Sequence, residues 1–174
     1  MIGLYNLKME GSFFKSVFYV YQPFTYILIS IYFLQMLQNG MIKRAIIISI
    51  PIVIFLTPLL YYGQIEYDWS RYYKFVLVAV FLIGWAVLYF YELLNSENVF
   101  NLLDVPHFWI VTGIALFHTG TFMVMGLVNY TYSIDPEMAT NIYSINHILN
   151  IIYYSLIAYG FYIQWKSTKS SLSS

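Results

Sequence analysis

The sequence predicts an all-α fold, a polytopic transmembrane helical bundle of about five spans, and three observations carry that reading. Hydrophobic residues fill 60% of the 174 positions and charged residues only 9%, where a soluble domain carries about 25% charge. Eight basic and eight acidic side chains are too few to coat a water-soluble globule of this size, so hydrocarbon must solvate most of the surface. Finally, five apolar stretches each meet the roughly 20 residues that a crossing helix needs. With no repeat and no linker, the chain reads as one transmembrane domain over 1–174.

The first stretch runs from about Phe13 to Leu37. It is too long for the apolar core of a signal peptide and lacks a basic start and a small-residue cleavage site, so it reads as a retained span. Gln22-Pro23 either kinks it or marks its true start, and Lys15 lies near its edge, within snorkelling reach of water. Gln38-Asn39-Gly40 supplies a stop, because Asn and Gly tolerate the left-handed backbone of a C-cap.

The second span covers about Ile42 to Tyr62 behind the basic pair Lys43-Arg44. Pro51 and Pro58 lie on nearly one face of it, and membrane helices accept such prolines where neighbours satisfy the freed carbonyls. Gly63 to Tyr73 is the most polar internal segment and reads as an interfacial loop. The third span is about Lys74 to Leu94, followed by a short polar segment, Asn95 to His107, that lies along the interface.

Pro106 precedes the fourth span, Phe108 to about Tyr130, where its fixed φ suits a first helical turn. Asp135-Pro136-Glu137 opens the fifth span, about Ala139 to Trp165, since Pro and acidic residues favour a helix N-terminus. The Ser-rich tail, 166–174, reads as disordered. Five spans put the termini on opposite sides of the membrane. Counting Lys and Arg gives a tie, and the purely basic Lys43-Arg44 turn favours a cytoplasmic C-terminus and an outside N-terminus.

Several function classes fall away. Zero net charge offers no basic field for nucleic acid, and zero cysteines removes thiolate metal sites, iron–sulfur clusters and a Cys nucleophile. The scattered glycines form no phosphate loop, and no paired carboxylates, H-E-x-x-H or G-x-S-x-G motif points to an enzyme or a resident cofactor. No Lys occurs in the fifth span before Lys166, which excludes a retinal Schiff base.

Ionisable residues inside a membrane are costly and therefore functional candidates. Only His118 and His147 lie well inside the spans. The fifth span carries a polar stripe of Tyr143, Asn146, His147, Asn150 and Tyr154, which three-and-four spacing puts on one face. Thr112, Ala115, Thr119 and Gly126 share a small-residue face on the fourth span, which lets a neighbour approach closely. If the short turn makes these two helices antiparallel neighbours, residue numbers at equal depth sum to roughly 270. His118 then lies level with Asn150 to Ile152, and His147 about a turn farther out.

The plainest expectation is a buried interhelical hydrogen-bond cluster of His118, Asn150 and Tyr154, each bond giving about 0.6 kcal/mol. A lipid or quinone pocket built on His118, Asn146, His147, Asn150 and Tyr154 is the alternative. Haem or metal ligation by the two histidines comes third, because two ligands underfill a zinc site and a one-turn offset is awkward for bis-His haem.

Leu4-Tyr5-Asn6-Leu7, Pro106-His107-Phe108-Trp109-Ile110 followed by Gly113, and Ile145-Asn146-His147-Ile148-Leu149-Asn150 resemble motifs of uncharacterised multi-pass membrane proteins of Bacteroidota. Those proteins have about five to seven spans and are sometimes encoded beside sensor histidine kinases. The chain departs from their pattern in lacking one or two N-terminal helices and in having His118 where a tyrosine is expected. The resemblance implies a bacterial inner-membrane protein with a sensory or scaffolding partner and supplies no catalytic residue. The expected function is a non-enzymatic sensor or accessory subunit that works through helix–helix contacts. Its expected partners are the lipid bilayer and another membrane protein or a second copy of itself.

Overall fold

The computed structural model describes residues 21–62, 71–96, 101–132 and 134–172. Among them all regular structure is helical, as the composition predicts: α1 (21–36), α2 (Gly40–Tyr62), α3 (Arg71–Leu94), a 3-10 turn (Leu102–Asp104), α4 (Pro106–Tyr132) and α5 (Pro136–Leu172). The part of the first expected span before Tyr21, the loop at 63–70 and the motif at Leu4–Leu7 lie outside the described residues. By packing, the chain falls into two compact units, Met1–Lys74 and Phe75–Ser174.

In the first unit α1 and α2 form a helical hairpin. Gln22, Tyr26, Ser30, Phe33 and Leu37 are buried on one side, and Ile46, Ser49, Val53 and Thr57 on the other. Spacings of three and four make each set a continuous stripe along its helix. The Tyr26 hydroxyl lies 2.6 Å from Ser49 Oγ, and Ser49 donates its single proton to the Ile46 carbonyl at 2.6 Å. Tyr26 is therefore the donor to Ser49. α2 runs unbroken through Pro51 and Pro58.

The turn between these helices corrects one expectation. No described residue has a positive φ, so Gln38-Asn39-Gly40 is not a left-handed C-cap. Asn39 instead caps the start of α2: its Oδ1 accepts from the Met41 N–H at 2.9 Å. Asn supplies a side-chain acceptor for an orphan N–H as readily as it tolerates left-handed backbone, and here the first property is used.

In the second unit α3 meets α4 where the Phe90 and Phe108 rings pack edge to face, 5.9 Å apart. The expected interfacial segment before α4 contains a capped turn. Asn101 Oδ1 accepts from the Leu103 N–H at 3.2 Å, its amide donates to Asp104 Oδ2 at 2.7 Å, and Trp109 Nε1 donates to the Leu103 carbonyl at 2.9 Å. At the far end of α4, Asp135 Oδ1 accepts from the N–H groups of Glu137 and Met138 at 2.9 and 3.2 Å. That N-cap starts α5 and turns the chain back antiparallel to α4.

α5 is longer than expected, at 37 residues, and it includes most of the tail read as disordered. Within this extension two hydroxyls bond back to the preceding turn: Ser167 Oγ and Thr168 Oγ1 donate to the Gln164 carbonyl at 3.1 and 3.0 Å. Lys169 Nζ then folds over the Trp165 ring, 5.5 Å from its centre.

Three described helices are long and apolar enough to cross a membrane: Gly40–Thr57 within α2, Val76–Leu94 within α3, and Pro106–Tyr132. The described part of α1 is shorter than a span. α5 is long enough, but Asn146, His147, Asn150 and its many tyrosines dilute its apolar character. A few polar side chains join a mainly apolar interior, and large apolar side chains also cover much of the outside. Gln22, Ser30, Ser49, Thr57, Thr121 and Thr131 are buried, while Ile47, Ile48, Phe55, Val80, Val87, Met123 and Leu127 face outward.

Candidate functional site

α4 and α5 pack along nearly their whole shared length, so the residues read as chemical candidates are positioned by this contact. α5 turns Asn146, Leu149, Tyr153, Leu156 and Gly160 toward α4. These positions recur at three and four residues, the seam of an antiparallel helix pair. Opposite them on α4 stand Ile110, Gly113, Phe117, Gly120 and Thr121. Facing residue numbers sum to about 270, the register expected from equal rise on both helices.

Three glycines set the closeness of approach. A β-carbon on Gly113 would stand 3.2 Å from Leu156 Cβ and 3.3 Å from the Tyr153 carbonyl oxygen. One on Gly120 would stand 2.7 and 2.8 Å from the two Leu149 methyls. One on Gly160 would stand 2.6 Å from Ile110 Cγ1 and 2.9 Å from the Pro106 carbonyl oxygen. Between these points Phe117 stacks on Tyr153 at 4.8 Å, and Trp109 meets Tyr159 edge-on at 4.9 Å. The seam is filled at each of these depths.

The small-residue face expected on α4 is thereby corrected by rotation. Thr112 donates to its own helix, at the Phe108 carbonyl, and nothing lies within 4 Å of a β-carbon on Gly126. Gly113 and Gly120, seven residues apart, take the close contact instead. Their spacing, matched by Gly160 on α5, was the available signal. Three-and-four spacing alone did not separate this face from the neighbouring one.

The polar stripe on α5 is likewise present but turned. Asn146 reaches the seam, where Thr121 Oγ1 donates to its Oδ1 at 2.9 Å. Asn150 is half-buried and gives its amide back to the Asn146 carbonyl at 2.8 Å. Tyr154 is 58% exposed, with its ring against Tyr153. The expected His118–Asn150–Tyr154 hydrogen-bonded cluster does not form, because Asn150 and Tyr154 each follow a seam residue by one position, about 100° around the helix. Thr121, which sequence reasoning missed, provides the interhelical bond one turn away.

The two histidines lie on different helices, each against an aromatic ring of its own helix. His118 is half-buried on α4, edge to the neighbouring Phe117 ring. His147 is exposed on α5, edge to the Tyr143 ring at 6.0 Å. Among the described residues, no three His, Asp or Glu side chains gather closely enough to hold a metal ion.

Among the described residues of its own unit, nothing covers the side of α5 opposite the seam. Ser144, Ile148, Ile151, Ser155 and Ala158 are all exposed and again recur at four and three residues. Compared with known protein families, curated proteins and solved structures, the chain matches none.

Proposed function

We propose that this chain is a polytopic protein of a bacterial inner membrane, with five spans and a cytoplasmic C-terminus. In this reading it serves as a non-enzymatic sensor or accessory subunit through helix–helix contacts with another membrane protein. The apolar exterior supports the membrane part, since hydrocarbon accepts outward Ile47, Phe55 and Leu127 while protein neighbours satisfy inward Tyr26, Ser49 and Thr121. Membrane helices associate through small residues and interhelical hydrogen bonds rather than through hydrophobic burial. The α4–α5 seam follows that rule.

One observation carries the accessory role: α5 uses one face on α4, and among the described residues of its unit nothing covers the opposite one. That open face combines small and β-branched residues with the exposed imidazole of His147 alongside, on a helix less apolar than α2, α3 or α4. Polar groups turned toward hydrocarbon are costly, and a partner helix over Ser144, Ile148, Ile151, Ser155 and Ala158 removes that cost. The lipid or quinone reading draws no support from the filled α4–α5 seam.

A photo-crosslinking side chain at Ile151 tests the proposal in native membranes. The expected product is a defined adduct to another membrane protein, absent when the same probe replaces the seam residue Leu156. Lipid adducts alone at Ile151, together with a monomer in mild detergent, would refute the accessory role. Release of the protein from membranes by alkaline carbonate would refute the membrane reading itself.

A further inference from the structure

The C-terminal end of α5 carries a feature that the accessory role does not use. At the α4–α5 register, Ile163 lies level with the start of α4, so about nine residues of α5, roughly 13 Å, run on past its neighbour. The 37 residues of α5 span about 55 Å, well beyond the ~30 Å hydrocarbon core, so part of the helix must stand outside it. Aromatic rings mark the exit. Trp109 meets Tyr159 at 4.9 Å, Tyr159 stacks on Tyr162 at 6.3 Å, and Tyr162 lies 6.3 Å from Trp165. Tyr162 and Trp165 are 53% and 61% exposed, and Lys169 Nζ caps the series over Trp165.

This is a strip of amphipathic phenol and indole rings that ends in an ammonium group along one helical face. Tyr and Trp prefer the headgroup level, and the lysines beyond them reach phosphate depth. Lys166 and Lys169 are both exposed, and no acidic residue follows Glu137 in the chain. The overhang's own side chains are therefore net positive, and Asp104, exposed in the turn before α4, is an acidic residue at the same end of the helix pair.

We propose that the α5 overhang is an interfacial anchor that recruits anionic phospholipid headgroups through Lys166 and Lys169, with Tyr162 and Trp165 fixing its depth. The proposal rests on the membrane reading above. The anionic phosphodiester of a lipid fits the strip because its acyl chains can lie along Tyr159 and Tyr162 while its charge meets the two ammonium groups. Each lysine near an anionic surface is expected to favour such lipids about fivefold.

The chain has no cysteine, so Ser167→Cys gives a unique labelling position between the two lysines. A nitrobenzoxadiazole fluorophore there is read in phosphatidylcholine vesicles containing phosphatidylglycerol. The quencher is a headgroup-depth nitroxide, carried either on phosphatidylglycerol or, at equal mole fraction, on phosphatidylcholine. Labelled phosphatidylglycerol should quench several-fold more strongly than labelled phosphatidylcholine. The ratio should fall toward unity in K166Q/K169Q and be retained in K166R/K169R. Soluble glycerol phosphate should not compete, since it lacks the chains. Equal quenching by both lipids, a ratio indifferent to K166Q/K169Q, or full competition by glycerol phosphate would each overturn the proposal while leaving the spans intact. A protein that fails to float with the vesicles would overturn the membrane reading instead.

Discussion

Replacing Gly160 by alanine tests whether glycine sets the α4–α5 distance. The added carbon would stand 2.6 Å from Ile110 Cγ1, 2.9 Å from the Pro106 carbonyl oxygen and 3.3 Å from Ile110 Cδ1. Carbon atoms rest at about 3.5–4.0 Å, so the first contact is short by about 1 Å. Rotation of Ile110 can relieve part of the overlap, but the carbonyl belongs to backbone and moves only with the helix. Overpacking of this kind costs about 1–3 kcal/mol. Alanine also favours helix over glycine by about 0.5–1 kcal/mol, which partly offsets the loss. Gly126→Ala separates the two effects, because nothing lies within 4 Å of its new carbon and only the propensity gain remains. The difference between the variants is then the packing cost, about 1–3 kcal/mol in favour of Gly126→Ala. Reversible unfolding in mixed micelles, followed by far-ultraviolet circular dichroism, measures both. Gly160→Ala should cost less in an Ile110→Ala background than in the native one, though not nothing, since the Pro106 carbonyl stays in place. Equal stabilities for Gly160→Ala and Gly126→Ala would refute the assignment of Gly160 to a close helix contact.

Further outcomes follow from the same geometry and the same unfolding assay. Gly120→Ala should cost less than Gly160→Ala, because the atoms it meets are Leu149 methyls at the end of a flexible side chain; the reverse order would contradict the seam as described. A double-mutant cycle on Thr121→Val and Asn146→Leu should return a coupling of about 0.6 kcal/mol and no more than about 1.7, and zero coupling would remove the interhelical bond at 2.9 Å. Ser30 is fully buried and its hydroxyl has no hydrogen-bond partner among the described residues. Ser30→Ala should therefore raise stability by about 1 kcal/mol, and a loss of that size would show that the hydroxyl is satisfied.

How much of this was legible in the sequence differs by level. The helical class followed from composition and span length, both of which sum over many residues and tolerate local error. The α4–α5 register followed from the short turn at Asp135 and equal rise, which leave little freedom along the axis. Rotation about the axis was not legible. Thr112, Ala115, Thr119 and Gly126 describe as good a helical face as Gly113, Phe117 and Gly120, and the choice is made by the partner's side chains. Leu149 and Leu156 fill the hollows over Gly120 and Gly113, and Tyr153 lies flat on Phe117. That choice turned Asn150 and Tyr154 off the seam and left Asn146 on it. The helical tail after Trp165 was missed for a different reason: serine and threonine favour turns and caps, yet here their hydroxyls bond back onto the Gln164 carbonyl of the preceding turn and leave the backbone helical.

The same rotation explains why α5 is the helix with unfinished business. A span surrounded by lipid needs apolar residues on all sides, whereas a span buried among helices can carry polar ones wherever a neighbour meets them. α5 conforms to neither case with α4 alone. Asn146 is met by Thr121, but His147 and Tyr154 face outward, level with about Met123 and Leu116 on α4. In the proposed membrane setting, hydrocarbon at those levels offers their polar atoms no partner, and a second helix does. A polar stripe that one neighbour satisfies only in part is the physical reason for expecting another.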